Sequence, residues 1–180
     1  MSHGELVDML RACGALAFGD FTLASGKRSP YYVDIKKAIT RPDVLRAIAK
    51  AMAPHAVNAD RIAGVELGAV PIAAAVSMET GRPYVIVRKE RKEHGTSKDF
   101  EGELIAGERV VFVEDVVTTG GTLAKAIERL RANGVTVSEA IAVVDREEGG
   151  REALAAIGVK LSALLTAAEL LAASKPKSLR

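Results

Sequence analysis

The chain has 180 residues, of which 48% are apolar and 27% are charged, and its formal net charge is +2 at pH 7. These values are typical of one globular domain, and so small a charge argues against nucleic acid or an anionic membrane as the main partner. No apolar run is long enough to span a bilayer and the amino end carries no secretory signal, so we expect no membrane association.

The amino-terminal part is predicted to contain two helices around an irregular segment. Apolar residues at helical spacing predict the first helix over residues 4–16. They include the single cysteine, Cys13, which excludes an internal disulfide and favours a reduced, cytoplasmic setting. Residues 18–38 mix alternation with Gly and Pro, which is typical of short strands and a loop at the edge of a domain. Thr40 is predicted to be the N-cap of a second helix, which runs through Met52.

Strands and helices alternate through the rest of the chain. Runs rich in Val and Ile predict buried strands at residues 61–67, 84–90, 110–115 and 137–145. Amphipathic or cap-flanked segments predict helices at residues 70–81, 120–134, 150–158 and 166–173. The alternation predicts an α/β fold with a doubly wound, mostly parallel sheet at about residues 41–165 and a small amino-terminal cap at about residues 1–40. In such a sheet, ligands bind beyond the carboxyl ends of the strands.

One long segment does not fit this packed pattern. Residues 88–103 leave the end of one strand and return before the next, with five Lys/Arg, one His and five Asp/Glu. Charge runs of this kind are usually solvated surface loops. A loop of this length inside a compact domain is also typical of a lid over an active site, so both interpretations stay open at this point.

The stretch VVFVEDVVTTGGT, residues 110–122, combines acidic and anion-binding features. Gly120 and Gly121 allow the backbone to approach a ligand, and the helix amides that follow lack helical acceptors, so the turn predicts a site for a phosphate monoester. It is neither a Walker P-loop nor a dinucleotide fingerprint, since the lysine and the glycine spacing of those motifs are absent. Glu114 and Asp115 precede the turn, where carboxylates can hold the vicinal hydroxyls of a ribose or a magnesium ion. The alternative is a buried pair of acids that backbone amides satisfy.

Four motifs give the chain a resemblance to a known family. Its apolar strand, two acids, small residues and TTGGT resemble the signature of the type I phosphoribosyltransferases, which bind 5-phosphoribosyl 1-diphosphate. In order, FTLASGKRSPYYVD, RKERKEHG, VEDVVTTGGT and VVDREEGG resemble the motif set of the orotate phosphoribosyltransferases, in their stand-alone, archaeal-like form. This resemblance covers about residues 18–150. It implies the type I phosphoribosyltransferase fold and the transfer of ribose 5-phosphate to orotate in UMP biosynthesis.

The resemblance also implies the residues of the site. The implied donor-binding residues are Arg88, Lys89, Lys92, His94, Glu114, Asp115, Val116, Val117, Thr118, Thr119, Gly120, Gly121 and Thr122. The implied catalytic residues among them are Lys89, Lys92, His94 and Asp115. Thr118 and Arg146 are implied to bind orotate, whose carboxylate suits a guanidinium fork. From the residues alone, the favoured interpretation of Arg146 is a surface residue paired with Glu147 or Glu148, and the resemblance reverses this preference.

A homodimer is expected on the same ground. The resemblance implies that residues 88–103 form a flexible loop that closes over the active site. Arg88, Lys92 and His94 would serve the site of the partner subunit, whereas Lys89 would serve the site of its own subunit.

The resemblance further implies magnesium as cofactor, entering with the donor and with Glu114 and Asp115 as candidate protein ligands. Two lysines that many bacterial relatives carry are absent, one at Ala24 and one near Gly68. A phosphoribosyltransferase for another base and a donor-sensing regulator of the same fold are the alternative functions.

Overall fold

The structure is a computed structural model, and it describes residues 2–22, 26, 28–89 and 99–174. The amino-terminal cap consists of helix α1 (His3–Ala12) and the antiparallel strands β1 (Leu16–Thr22) and β2 (Arg28–Val33). A capping box between Ser2 and Glu5 begins α1. The helix ends before residue 16, because the chain turns after Ala12 to enter β1.

Two helices connect this cap to the core. They are α2 (Ile35–Ile39) and α3 (Pro42–Met52), and a 3₁₀ turn (Ala53–Ala56) follows. The prediction that Thr40 is an N-cap is wrong. Thr40 instead closes α2, where its hydroxyl donates to the carbonyl of Lys37 at 2.8 Å. The sequence does not predict α2, because five residues are too few to show a helical period.

The core is a six-stranded sheet with the strand order β5-β4-β3-β6-β7-β8. Its strands are β3 (Arg61–Val65), β4 (Tyr84–Val87), β5 (Phe100–Glu101), β6 (Arg109–Val117), β7 (Thr136–Asp145) and β8 (Lys160–Thr166). All pairs are parallel except β4 with β5, so the predicted doubly wound, mostly parallel sheet is confirmed. The order reverses between β3 and β6, and sheets of this kind bind ligands at such a point.

Helices cover both faces of the sheet. The remaining four are α4 (Ala69–Thr80), α5 (Gly121–Arg131), α6 (Gly150–Ala156) and α7 (Ala167–Ser174). Alternate residues of β6 enter two separate apolar clusters. Val111 and Val113 pack with α1 to α4, whereas Val110 and Phe112 pack with α5 and α6. Among the described residues, no helix combines the length and the apolar character needed to cross a bilayer.

The observed strands differ from the predicted ones in number and in their ends. β8 is a partly buried edge strand whose Leu161 and Leu165 are buried, with partly buried residues between them, so its period is weak. β5 has two residues, too few to predict. β3 ends at Val65 and β4 ends at Val87, so each strand is shorter than the one predicted from composition. The difference arises because pairing with the neighbouring strand, and not composition, determines where a strand ends.

Candidate active site

A cavity of about 550 Å³ opens at the carboxyl ends of β3 and β6. Its walls come from the end of β6 and the β6–α5 turn, the β3–α4 loop, the second residue after β4 and the first turn of α2. The lining residues are Lys36, Val65, Glu66, Leu67, Gly68, Lys89 and the continuous stretch of residues 114–123. The phosphate turn and the pair of carboxylates that the sequence predicts therefore share one cavity.

The turn between β6 and α5 forms one end of the cavity. Gly120 has a φ of +76°, a left-handed conformation that favours glycine, and α5 begins at the next residue. Among the described residues, no side chain caps α5, so its first amides remain available to an anion. Behind the turn, a Cβ atom at Gly150 would overlap Val117 and lie 2.7 Å from the carbonyl oxygen of Thr118. The start of α6 thus packs directly against the turn and holds its shape.

Glu114 and Asp115 follow the buried run Val110, Val111, Phe112 and Val113 of β6 and line the cavity. The amide of Asp115 donates to Glu114 Oε1 at 3.0 Å, and the amide of Val116 donates to Asp115 Oδ1 at 2.8 Å. Each carboxylate therefore accepts one backbone amide, as in the alternative considered above, yet both also line the cavity. Burial, together with the neighbouring Asp115 carboxyl, raises the pKa of Glu114 well above its ordinary value. Hydroxyl groups or a cation brought by a ligand would stabilise the ionised form of this pair.

Another wall of the cavity is formed by the loops that follow β3 and β4. Glu66 Oε1 accepts a hydrogen bond from the amide of Lys89 at 2.9 Å, and the peptide between Glu66 and Leu67 is cis. A Cβ atom at Gly68 would overlap the carboxylate of Asp115, so this loop lies directly against the acids. The loop contact also fixes the backbone of Lys89 at the cavity.

The other basic residues implied at this wall do not line the cavity or are not described. Arg88 forms an ion pair with Glu101 of β5, and its amide donates to the carbonyl of Asp99 at 3.0 Å. Lys92 and His94 lie outside the described residues.

Arg146 lies just after β7, next to the cavity rather than in its lining. Its amide donates to the carbonyl of Val117 at 2.9 Å, which connects it to the phosphate turn. Its guanidinium Nε lies 3.1 Å from Glu148 Oε1, and the guanidinium stands 5.8 Å from the ring centroid of Tyr31. The structure thus contains the pairing with Glu148 that the sequence left open. Tyr31 is itself buried in the first apolar cluster, so it supports the guanidinium from the core side.

A buried carboxylate holds the segment that carries Arg146. Asp145 is fully buried and accepts hydrogen bonds from the amide of Glu147 and from Arg151 Nη2, each at 2.9 Å. Glu147 in turn accepts from the amide of Ala168, at the start of α7, at 2.8 Å. These bonds fix the backbone on both sides of Arg146.

Lys36 is a cavity residue that the sequence does not predict. It is the second residue of α2, and it lines the cavity together with Lys89. The sequence YYVDIKK contains no signal that distinguishes Lys36 from Lys37. Lys36 lies at the cavity because α2 packs beside β6, and this contact comes from the tertiary fold and not from the local sequence.

Comparison with known proteins identifies the class to which this site belongs. The family model described as "Phosphoribosyl transferase domain" matches residues 36–159, a range that begins at Lys36 and includes the whole lining of the cavity. The class defined by the fold and the site is therefore that of the phosphoribosyltransferases.

Individual relatives identify the family within this class. An orotate phosphoribosyltransferase of Natronomonas pharaonis is 51% identical over 96% of this chain and 99% of its own length. The crystal structure of the orotate phosphoribosyltransferase from Aeropyrum pernix is 38% identical, with a TM-score of 0.84, and the match covers 93% of this chain and 97% of that one. The Mycobacterium tuberculosis orotate phosphoribosyltransferase in complex with 5-phospho-alpha-D-ribosyl 1-diphosphate is 30% identical, with a TM-score of 0.76 and coverage of 93% and 98%. The chain belongs to the orotate phosphoribosyltransferase family, and the resemblance drawn from the four motifs is confirmed.

Proposed function

We infer that this protein transfers the ribose 5-phosphate group from 5-phosphoribosyl 1-diphosphate to orotate. The products are orotidine 5′-monophosphate and diphosphate, in the biosynthesis of UMP. The observation that carries this conclusion is the cavity that joins the phosphate turn to Glu114 and Asp115, in a chain half identical to an orotate phosphoribosyltransferase.

The donor fits the cavity in one direction. Its 5-phosphate would bind the open amides of α5 and the hydroxyls of Thr118, Thr119 and Thr122, since a helix amino end favours anions. Its ribose hydroxyls would then reach Glu114 and Asp115, which precede the turn on the same strand. The diphosphate would point towards the loops of Glu66 and Lys89.

Magnesium fits this site as an ion that enters with the donor. Two carboxylates are too few for a cage made of protein alone, and in the described part of the chain no group of three or more His, Cys, Asp or Glu is arranged to hold a metal ion. Mg²⁺ is commonly bound by one or two carboxylates together with substrate phosphates, so Glu114 and Asp115 are the residues that would hold it. When bound, the ion would supply positive charge to the leaving diphosphate.

The reaction forms a bond between orotate N1 and ribose C1, while the bond from C1 to the diphosphate oxygen breaks and its electron pair leaves with diphosphate. The proton of N1 passes to the departing diphosphate or to solvent. Because orotate is anionic and its N1–H is acidic for an amide, we assign no strong general base. Lys89, Lys92 and His94 are proposed to stabilise the charge that grows on the diphosphate. Loss of one such donor typically costs roughly 10²- to 10³-fold in rate.

Orotate is proposed to bind between Thr118 and Arg146. The carboxylate of Glu148 now pairs with Arg146, and the carboxylate of orotate would take its place. A guanidinium suits this exchange because it can bind a carboxylate with two parallel hydrogen bonds.

The central experiment follows the loss of orotate absorbance in the presence of the donor and magnesium. Wild type is compared with Lys92→Ala and with Lys98→Ala as a matched loop control, and adenine and uracil are offered as competing bases. We expect turnover with orotate, a large loss in Lys92→Ala and wild-type rates in Lys98→Ala. Donor binding without turnover of orotate would overturn the proposed substrate.

We also propose that the active unit is a homodimer in which Arg88, Lys92 and His94 of each chain serve the partner's site. Sedimentation at assay concentration should then give a dimer. Mixing Lys92→Ala chains with Asp115→Asn chains should restore part of the activity, because one composite site of the mixed dimer is intact. A fully active monomer would disprove the shared site.

A further inference from the structure

We infer that Lys36 is an additional donor-binding residue, whose ammonium contacts the phosphoribosyl donor at the carboxylate end of the cavity. This inference rests on the proposed function and adds to it a residue from the cap side of the molecule.

The packing of α2 decides where Lys36 points. Ile35, Ala38 and Ile39 are buried and hold the helix against the first apolar cluster. Lys36 then lies at the cavity, whereas Lys37 turns towards Gly14, with its Nζ 2.9 Å from the position of a Cβ atom on that glycine. The side chains of these two adjacent lysines therefore lie at different places on the molecule.

The charges that line the cavity require additional cations when the donor binds. In the described part of the lining, Glu66, Glu114 and Asp115 supply carboxylates, and Lys36 and Lys89 supply ammonium groups. A phosphate monoester carries about −1.5 to −2 charges at neutral pH, and the donor adds a diphosphate to this. Lys36 lines the same cavity as Lys89 and is placed to offset part of that charge.

The surroundings of Lys36 leave its ammonium available for a ligand. Among the described residues, no carboxylate lies within ion-pair distance of it, and its side chain is exposed to the cavity and solvent. Its positive charge nevertheless acts on Glu114, where it opposes the rise in pKa that burial causes. Lys36 also lines the same cavity as Glu114 and Asp115, so its ammonium shares with these carboxylates the space that the donor would occupy.

The test compares Lys36→Ala and Lys36→Arg with Lys37→Ala as the matched control. Donor affinity is measured by calorimetry with magnesium and without orotate, and steady-state constants are measured for both substrates. We expect Lys36→Ala to raise the Kd and the KM for the donor by about 10- to 100-fold, the usual range for a lost hydrogen bond to a charged group. Lys36→Arg should recover part of the affinity. Lys37→Ala should behave like wild type, and the KM for orotate should not change.

The outcomes separate this inference from the proposed function. Equal donor affinity in wild type and Lys36→Ala would overturn the role of Lys36, even if wild type converts orotate at full rate. Absence of orotate turnover in wild type would instead overturn the proposed substrate, while the calorimetry would still measure the contribution of Lys36. If Lys36→Ala melts at a lower temperature than wild type, Lys36→Gln replaces it in the same comparison.

Discussion

At the scale of single residues, Glu114 shows most clearly that a side chain placed in the active site can lower the stability of the fold. It lies at the end of a buried strand beside a second carboxyl, and burial raises its pKa. In the unfolded chain it would ionise near the ordinary value of about 4.3. Between that pH and its raised value in the folded state, the native protein binds more protons than the unfolded chain. The free energy of unfolding therefore falls as pH rises through this window.

We therefore expect Glu114→Gln to be more stable than wild type in urea at pH 7, with the difference vanishing below about pH 4. The same change should weaken donor binding by about tenfold, because a hydrogen bond to a charged group is lost. Glu128→Gln, on the exposed side of α5, is the control and should alter neither quantity. Lower stability of Glu114→Gln at pH 7 would contradict the assigned cause.

Arg146 permits a second prediction at this scale. Arg146→Ala should raise the KM for orotate by about 10- to 100-fold while donor affinity stays unchanged. Arg129→Ala, on α5 away from the cavity lining, is the control. An equal loss of affinity for donor and orotate would show that Arg146 acts through the phosphate turn, to which its amide is bonded.

At the scale of elements, the site depends on contacts between helix ends and loops. Gly150 of α6 packs on the back of the phosphate turn, whereas a Cβ atom on Gly121 would meet nothing within 4 Å. Gly150→Ala should therefore destabilise the protein by about 1–3 kcal/mol through overpacking, and should also weaken donor binding. Gly121→Ala should keep wild-type stability and lose donor affinity alone, because its methyl group enters the space for the ligand. Chemical unfolding and donor calorimetry on both variants check this, and identical behaviour of the two would refute it.

The individual strands and helices also show what could be predicted from the sequence and what could not. Strands β3, β4, β6 and β7 are predictable because they form nearly continuous apolar runs, whereas β8 and the short α2 and β5 have no such run and no clear period. The acids and the phosphate turn were predictable because they are contiguous in the chain. Lys36 and Glu66 join them only through tertiary packing, so no local pattern indicates them. For Arg146, the residues alone favoured an ion pair with a neighbouring glutamate, which the structure contains with Glu148, and only the resemblance favoured a role in binding orotate.

At the scale of the whole molecule, the residues of the site and the ion pairs that stabilise the fold lie at opposite ends of the strands of the sheet. Its carboxyl edge carries the site, and its amino edge carries ion pairs. There, Arg61 and Glu108 are joined by two hydrogen bonds of 2.7 Å, and their side chains are only 5% and 14% exposed. Asp60 and Arg109 form a second pair that is much more exposed.

Glu108→Ala should cost about 3 kcal/mol of stability, because it leaves the buried Arg61 without its partner. Asp60→Ala, in the exposed pair, should cost much less than Glu108→Ala, because solvent screens the charges of a surface pair. Arg61 also lowers the pKa of Glu108, so this contribution is present above the unfolded pKa and is lost as pH falls through the folded one. Urea unfolding at pH 7 and at acid pH measures both effects, and turnover per folded molecule should stay at the wild-type level. Equal losses in the two variants would contradict the role of burial.

The central position of β6 has a consequence for how the protein loses activity. This strand bonds to β3 and β7, contributes side chains to both apolar clusters, and carries the acids of the site at its end. Its amide hydrogens should therefore exchange with solvent only through global unfolding. No partly unfolded form would keep the rest of the fold and lose these acids. A bound donor should then protect the entire chain against heat and proteolysis, by an amount that grows with the logarithm of its concentration.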